Sequence, residues 1–244
     1  TLPIAAGGSA TLSVSGGAIQ ANGSSCDTAT TSNTNAIVVT GQSGSTETLT
    51  VDQSGGAFAP GATAESSGAS EIEIQLSLGD ASDKLVVIGT PGAETILGGT
   101  TGVDLNADGD GDITYSTTPG AIELRGGSGV NTLSLLGGSG TGAQYAGVGT
   151  LIAGPSGDTL VGGKGADTLT GGDGNDSLTG GNGNDVLTGN GGADSMTGGN
   201  DNDTVYAADG IADALLSLGG GSDTAYYDGG LDPSPSGAET RYPS

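Results

Sequence analysis

Six aspartates recur every nine residues along one stretch of the chain: Asp158, Asp167, Asp176, Asp185, Asp194 and Asp203. Carboxylates repeated in this way can serve proton transfer or hold a hard cation. The chain has no His, so no Ser-His-Asp or Cys-His set can be assembled from it. Two carboxylates alone can do acid–base work, but none of these sits on an identifiable catalytic framework. Regular spacing points instead to cation binding by oxygen ligands, the chemistry of calcium sites.

The elements that must position these carboxylates lie in the same stretch. Residues 153–206 divide without gaps into AGPSGDTLV, GGKGADTLT, GGDGNDSLT, GGNGNDVLT, GNGGADSMT and GGNDNDTVY. Aspartate always holds position six, and position eight is always apolar: Leu160, Leu169, Leu178, Leu187, Met196 and Val205. Glycines at positions one, two and four permit a sharp six-residue turn. The last three residues, such as Thr168-Leu169-Thr170, predict a short strand with one side chain pointing inward. Two units then form one coil, so Leu160, Leu178 and Met196 line one sheet while Leu169, Leu187 and Val205 line the facing one. With strands ~4.8 Å apart, alternate units place carboxylate over carboxylate. A counter-ion is required, and calcium tolerates a flexible all-oxygen shell. Calcium is therefore expected to be a folding element. A disordered Gly/Asn/Asp-rich linker is the alternative; six units in register, each with its apolar residue, argue against it.

The pattern is G-G-x-G-x-D-x-U-x, and it resembles the hemolysin-type (RTX) calcium-binding nonapeptide repeat. The resemblance implies a parallel β-roll with an ion between each loop and the next but one. It implies ligands as follows: carbonyls of Gly154 and Ser156 with Asp158, against carbonyls of Gly171 and Asp173 with Asp176. The second set is Gly163, Gly165 and Asp167 against Gly180, Asn182 and Asp185. The third is Gly172, Gly174 and Asp176 against Gly189, Gly191 and Asp194. The fourth is Gly181, Gly183 and Asp185 against Gly198, Asn200 and Asp203. Ser156 and Asp201 at position four and Asn190 at position two depart from the pattern. The side chains of Ser156 and Asp201 are expected to resist the glycine-type turn and weaken the first and last sites.

Composition sets the bounds. Of 244 residues 52 are glycine and only 3% are aromatic, too few large apolar residues for a conventional core, so a thin solenoid core is expected. Four Lys and Arg against 28 Asp and Glu give a formal charge of −24. That balance excludes a nucleic-acid partner, because phosphates need cations, and makes divalent metal the natural counter-charge. No run of eighteen apolar residues is present, so no membrane-inserted helix is expected. The sequence begins without Met or a signal peptide, which suggests a processed, mature chain. Millimolar extracellular calcium would saturate such sites, so a secreted, extracellular or cell-surface location is expected. Cys26 is the single cysteine. An intrachain disulfide is excluded; Cys26 is a buried small residue, or one whose partner was lost by processing or lies on another chain.

Taken in order, residues 1–70 form a Thr/Ser/Gly-rich region with β-like runs at Thr11–Val14, Ala36–Thr40 and Glu47–Val51. The segments TLPIAAGGSATLSVSGGAIQANGSSC, GGAFAPGA and SEIEIQLSLG resemble a region found ahead of RTX-like repeats in secreted actinobacterial proteins. That resemblance implies a cysteine just upstream of Thr1, lost by trimming, which would leave Cys26 unpaired. Residues 71–152 read as degenerate solenoid coils, with apolar positions at Leu76, Leu85, Ile96, Ile113, Ile122, Leu133 and Leu151. Their position-six equivalents drift through Asp83, Glu94, Asn131 and Gly149, so little calcium is expected there. Residues 71–206 would make roughly seven coils, a rod of ~35 Å.

Within this part, residues 104–112 form an acidic insertion that matches the first nine positions of an EF-hand-type loop. Asp104, Asn106, Asp108 and Asp112 form either a separate calcium site or a solvated acidic turn, since Tyr115 stands where a bidentate Glu belongs. Residues 153–206 are the nonapeptide roll and 207–244 a C-terminal cap and tail. One partial repeat at Gly219–Tyr226 carries Asp223. Asp209 and Asp213 either cap the last loops or are solvated, and Pro233–Ser244 reads as an irregular end. The resemblance to secreted proteins implies a closing cysteine pair at the places of Leu218 and Ala238, replaced here by apolar residues.

The expected protein is an all-β, parallel β-solenoid that binds several calcium ions and has a structural, surface or adhesive role. Self-assembly into a homo-oligomer, fibre or layer is a variant, because open sheets have bare edges. An accessory domain of a secreted hydrolase or toxin is one alternative. A polysaccharide-acting β-helix enzyme is another, disfavoured because the only basic residues are the scattered Lys84, Arg125, Lys164 and Arg241.

Overall fold

In the computed structural model, which describes residues 1–58, 72–109 and 111–243, every regular element is a β-strand. The second half of GGAFAPGA, the first two residues of SEIEIQLSLG and Asp110 lie outside the described residues. The N-terminal strands are β1 (Leu2–Pro3), β2 (Ser9–Ser15), β3 (Ala18–Ala21), β4 (Ser24–Thr30), β5 (Ala36–Thr40) and β6 (Thr48–Asp52). Then come β7 (Glu73–Ser77), β8 (Lys84–Ile88), β9 (Thr95–Gly98), β10 (Gly102–Asp104), β11 (Ile113–Tyr115), β12 (Ala121–Arg125), β13 (Thr132–Ser134) and β14 (Val148–Ile152). The nonapeptides form β15 (Thr159–Val161), β16 (Thr168–Asp173), β17 (Ser177–Asn182), β18 (Val186–Gly191), β19 (Ser195–Asn200) and β20 (Thr204–Tyr206). The chain closes with β21 (Leu215–Gly220), β22 (Asp223–Tyr227) and β23 (Ala238–Pro243).

These strands build two facing sheets. One runs β1-β5-β7-β11-β10-β9-β13-β15-β17-β19-β21, the other β23-β22-β20-β18-β16-β14-β12-β8-β6-β2-β3-β4. From β13 to β22 successive strands alternate between the sheets and pair in parallel with the strand one coil away, the signature of a solenoid. Two rows of side chains run through the core. Val51, Val87, Leu124, Leu151, Leu169, Leu187, Val205 and Ala225 stand in register in one sheet. Ile96, Leu133, Leu160, Leu178, Met196 and Leu216 stand in the other. All are buried; each nonapeptide coil contributes one inward apolar residue per sheet, while upstream a further buried row, Leu49, Leu85 and Ile122, stands in register in β6, β8 and β12, so that so Gly-rich a chain still has a continuous core.

Four features differ from the sequence-based expectation. Strands β16 to β19 have six residues rather than three, because the first residues of the following loop also stack in register, as in Gly172↔Asn190 and Gly181↔Gly199. Buried backbone groups there need partners, and the neighbouring coil supplies them. The parallel ladders also extend far upstream: β5 pairs with β7, β2 with β6 and β6 with β8, so coils cross residue 70. The acidic insertion does not leave the sheet but widens it, with β10 antiparallel to both β9 and β11. The tail is not irregular, since β23 adds a parallel strand to β22. Tyr206, Tyr226 and Tyr242 stack face to face across these last strands, with centroids 4.9 and 4.7 Å apart. Cys26 is half-buried against the core and makes no disulfide.

Candidate metal centre

Each nonapeptide aspartate sits immediately ahead of, or one residue before, a strand whose inward apolar side chain anchors it, so the carboxylates stack as the strands do. Two columns result. In one, the N–H of Asp158 donates to Oδ1 of Asp176 at 2.7 Å, and that of Asp176 to Asp194 at 2.8 Å. In the other, Asp167 donates to Asp185 at 2.7 Å and Asp185 to Asp203 at 2.9 Å. Thus the carboxylate pairs of all four expected loop combinations are brought together, each linked by a backbone N–H to its neighbour. Both columns continue past the nonapeptides. Asp194 donates to Asp213 at 2.9 Å and Asp213 to Asp232 at 3.0 Å; Asp203 donates to Asp223 at 2.8 Å and Asp223 to Oε2 of Glu239 at 2.6 Å.

The second carboxylate oxygen divides the loops into two kinds. In the first three, Oδ2 accepts the N–H of the position-two residue of its own loop: Gly154 to Asp158 at 3.0 Å, Gly163 to Asp167 at 2.5 Å and Gly172 to Asp176 at 2.9 Å. In the next three, position two takes a left-handed φ of 114° at Gly181, 65° at Asn190 and 131° at Gly199. There Oδ2 of Asp185, Asp194 and Asp203 is buried and has no hydrogen-bond partner. A buried ionised oxygen without a donor is costly, and burial pushes these carboxyls upward, to about 7 for Asp185 and about 6 for Asp194 and Asp203. Neighbouring carboxylates add to this, Asp167 and Asp203 at Asp185, and Asp176 at Asp194. Burial also raises Asp167 and Asp176, against the hydrogen bonds that oppose it.

These oxygens fit a hard cation. Position-one glycine completes the cradle: a Cβ on Gly180 would collide with Oδ2 of Asp185 and the carbonyl of Gly198, and one on Gly171 with Oδ2 of Asp176 and the carbonyl of Gly189. Carboxylate and carbonyl oxygens from two coils thus border one small space that only glycine leaves open. Among the described residues no three Asp, Glu, Cys or His side chains converge as a metal-ligating group. A cation here would take two carboxylates and fill its shell with carbonyls, as the nonapeptide resemblance implies. The Gly163 carbonyl already accepts from Asn182 N–H at 3.3 Å and Gln144 Nε2 at 2.9 Å, so an ion would compete for it.

The departures from the repeat behave differently from expectation. Ser156 causes no strain, because its position does not take a left-handed φ in this loop. Asp201 does adopt one, at 73°, and its carboxylate accepts the N–H of Gly183 at 3.2 Å. Asp and Asn tolerate this region better than other side chains, since their short polar groups bond locally. Asp232 and Glu239 were not singled out by sequence reasoning. A signal existed for the first: Asp209-Gly-Ile-Ala-Asp213 and Asp228-Gly-Gly-Leu-Asp232 repeat D-G-x-x-D.

Upstream, Glu94 and Asn131 lie on the column, as expected, since Thr95, Thr132 and Thr159 are in register. Asp83 does not; Leu85, through Ile122 and Gly149, holds its column's place. In the acidic insertion Asp104 is buried and its carboxylate accepts N–H groups of Asn106, Ala107 and Gly109 at 3.1, 2.6 and 3.1 Å. Oδ2 of Asp112 accepts Leu105 N–H at 2.5 Å, and Asn106 Nδ2 donates to Asp108 at 3.2 Å.

Stacked, donor-poor carboxylates in Gly-rich turns of a parallel solenoid define a metal-binding β-roll. Residues 152–187 and 179–211 match the family model of the RTX calcium-binding nonapeptide repeat (4 copies), so this part of the chain is similar to arrays of those repeats. RTX repeats are typically structural and calcium-binding, and the proteins that carry them typically secreted. Comparison with curated proteins and with solved structures finds nothing that matches.

Proposed function

We propose that the chain is a secreted, non-catalytic calcium-dependent rod with a structural, surface or adhesive role, in which several ions complete the fold of residues 153–206. The observation that carries this reading is the set of buried Oδ2 atoms without a donor: those of Asp185 and Asp203, one coil apart in one column, and that of Asp194 in the other. Of the four basic residues, Lys84 and Arg125 both pair with the buried Glu123 on one sheet face and Arg241 donates to the Pro235 carbonyl, which gives those three structural partners. The sheets run continuously across the divisions at 152 and 206, and strands from either side of residue 70 pair with each other.

A separate ion held by Asp104, Asn106, Asp108 and Asp112 is a second part of the reading. The turn is already curled around the Asp104 carboxylate, which accepts the N–H groups of Asn106, Ala107 and Gly109.

Self-assembly is a weaker element. The segment 233–237 lies along the β21 edge, with Leu218 N–H bonded to Ser236 and Ser236 N–H to Leu216, and it carries Pro233 and Pro235. The outer strand β23 carries Pro243. Prolines at an edge block further pairing, so end-to-end growth is disfavoured at this end.

Far-UV circular dichroism in chelator, followed by calcium titration, tests the central claim. A cooperative gain of strand signal is expected. Full strand signal in chelator, unchanged by calcium, would reject calcium as a folding element.

A further inference from the structure

We propose that the closing coil, beyond the stretch matched by the repeat model, adds one calcium rung to each column: Asp203 with Asp223, and Asp194 with Asp213. The proposal rests on the calcium-binding reading of the roll and extends it to residues that carry no intact nonapeptide.

Spacing hides the continuity. Asp213 follows Asp194 by nineteen residues and Asp223 follows Asp203 by twenty, against eighteen within the roll. The extra residues are absorbed in the turns, for the N–H to Oδ1 links across the junction keep lengths of 2.9 and 2.8 Å. Asp223 is essentially inaccessible and Asp213 more than nine-tenths buried. Oδ2 of each has no hydrogen-bond partner, and the same is true of Asp194 and Asp203 facing them. Both new pairs therefore consist of two carboxylates with an unmet oxygen. The first nonapeptide pair, Asp158 and Asp176, has none, since Gly154 and Gly172 donate to both.

The backbone around Asp223 follows suit. Gly219 and Gly221 take left-handed φ values of 93° and 156°, matching positions two and four of the loops at Gly181 and Gly199. A Cβ on Gly198 would meet Oδ2 of Asp203 and the carbonyl of Leu218. Leu218 thus presents its carbonyl where Gly198 presents its own beside Gly180, and a backbone ligand does not need a particular side chain. The series then ends. Oδ2 of Asp232 accepts the N–H of Asp228 at 2.6 Å, as in the donor-satisfied first loops, and Glu239 closes the other column by accepting Asp223 N–H. The ligand is a divalent cation with calcium's preference for many oxygens at flexible geometry. Its consequence is that docking of β21 and β22 onto the roll is itself calcium-dependent.

The test counts bound calcium by equilibrium dialysis on the full chain, with far-UV circular dichroism as the folding control. Asp213→Asn and Asp223→Asn keep an acceptor for the N–H link but remove the charge. Each is expected to lose about one ion per chain and the double variant about two, with the strand signal of the remaining roll retained in saturating calcium. An unchanged count in variants of a wild type that does bind calcium overturns this proposal alone. A wild type that binds no calcium overturns the roll's calcium reading as well. If the double variant fails to fold, the two single variants decide.

Discussion

Two regions of this solenoid stack buried carboxylates, and they resolve the resulting problem differently. Near the N-terminal end, Glu47 donates its N–H to Oδ1 of Asp83 at 2.8 Å, the same link that builds the downstream columns. Glu47 then receives Gly7 N–H at 3.0 Å and the Ser45 hydroxyl at 2.5 Å, while Asp83 receives Asp80 N–H at 3.2 Å. Both are fully buried. From Asp185 to Asp223 the loops withdraw the equivalent donor and leave an oxygen bare. The shared fold therefore does not decide whether metal is needed. The supply of N–H groups in the turn does, because a carboxylate with several backbone donors is stable as an anion and one without them is not.

Removing calcium should break this comparison most visibly. In chelator, amide hydrogen exchange read by mass spectrometry should lose protection in β17 to β22 and keep it in β5 to β8 and β12. Each site held at ~100 times its dissociation constant supplies about 2.7 kcal/mol, so losing several removes most of the local stability. Uniform loss along the chain would mean the upstream coils lean on the same ions.

Acid should partly replace the metal. Asp185 and Asp213 stand at about 7, and Asp194 and Asp203 at about 6, all pushed up first by burial. Their unfolded values are ~3.9, so between pH ~4 and 7 the folded chain binds more protons than the unfolded one. The metal-free roll is thus most stable below pH ~4 and loses that contribution as pH rises to 7. Circular dichroism in chelator should show strand signal gained on acidification from pH 8 to 5; a flat profile would deny that these carboxyls are donor-starved.

Smaller effects separate the turn residues. Gly198→Ala should raise the calcium midpoint roughly tenfold, about 1.4 kcal/mol, because its methyl would enter the space between Asp203 and Leu218. Asn190→Gly should stabilise the calcium-loaded chain by at most ~1 kcal/mol, since it relieves a left-handed non-glycine residue. Titration followed by circular dichroism measures the first and thermal unfolding the second. A larger effect for Asn190→Gly than for Gly198→Ala would reverse the ranking of cradle over turn strain.

Much of this was legible in the sequence because one carboxylate and one apolar residue recur at a fixed interval. Leu169, Leu187 and Val205 fell where the period put them. The division into two loop kinds was not legible: GGDGND and GGNGND differ by one residue, yet Gly172 donates to its aspartate and Gly181 does not. Glycine permits both backbone states, so the choice belongs to the stacking of neighbouring coils. The coils within residues 1–70 escaped notice because their register offsets are long and unequal, as in Ala36↔Glu73 and Ser9↔Thr48. Glu239 escaped because its strand was read as tail.

The carboxylate columns also make the rod a polyelectrolyte. When ionised, above pH ~7, the columns carry one charge per ~4.8 Å along a straight line, which approaches the 3.4 Å phosphate spacing of a single DNA strand. At that density monovalent ions accumulate along the line whether or not any site binds them. Calcium entering a column must displace this atmosphere, and the entropy of the released sodium joins the driving force. The ionic strength of the surroundings then sets how much calcium the rod needs to assemble, in the manner of a nucleic acid exchanging its counterions for a ligand.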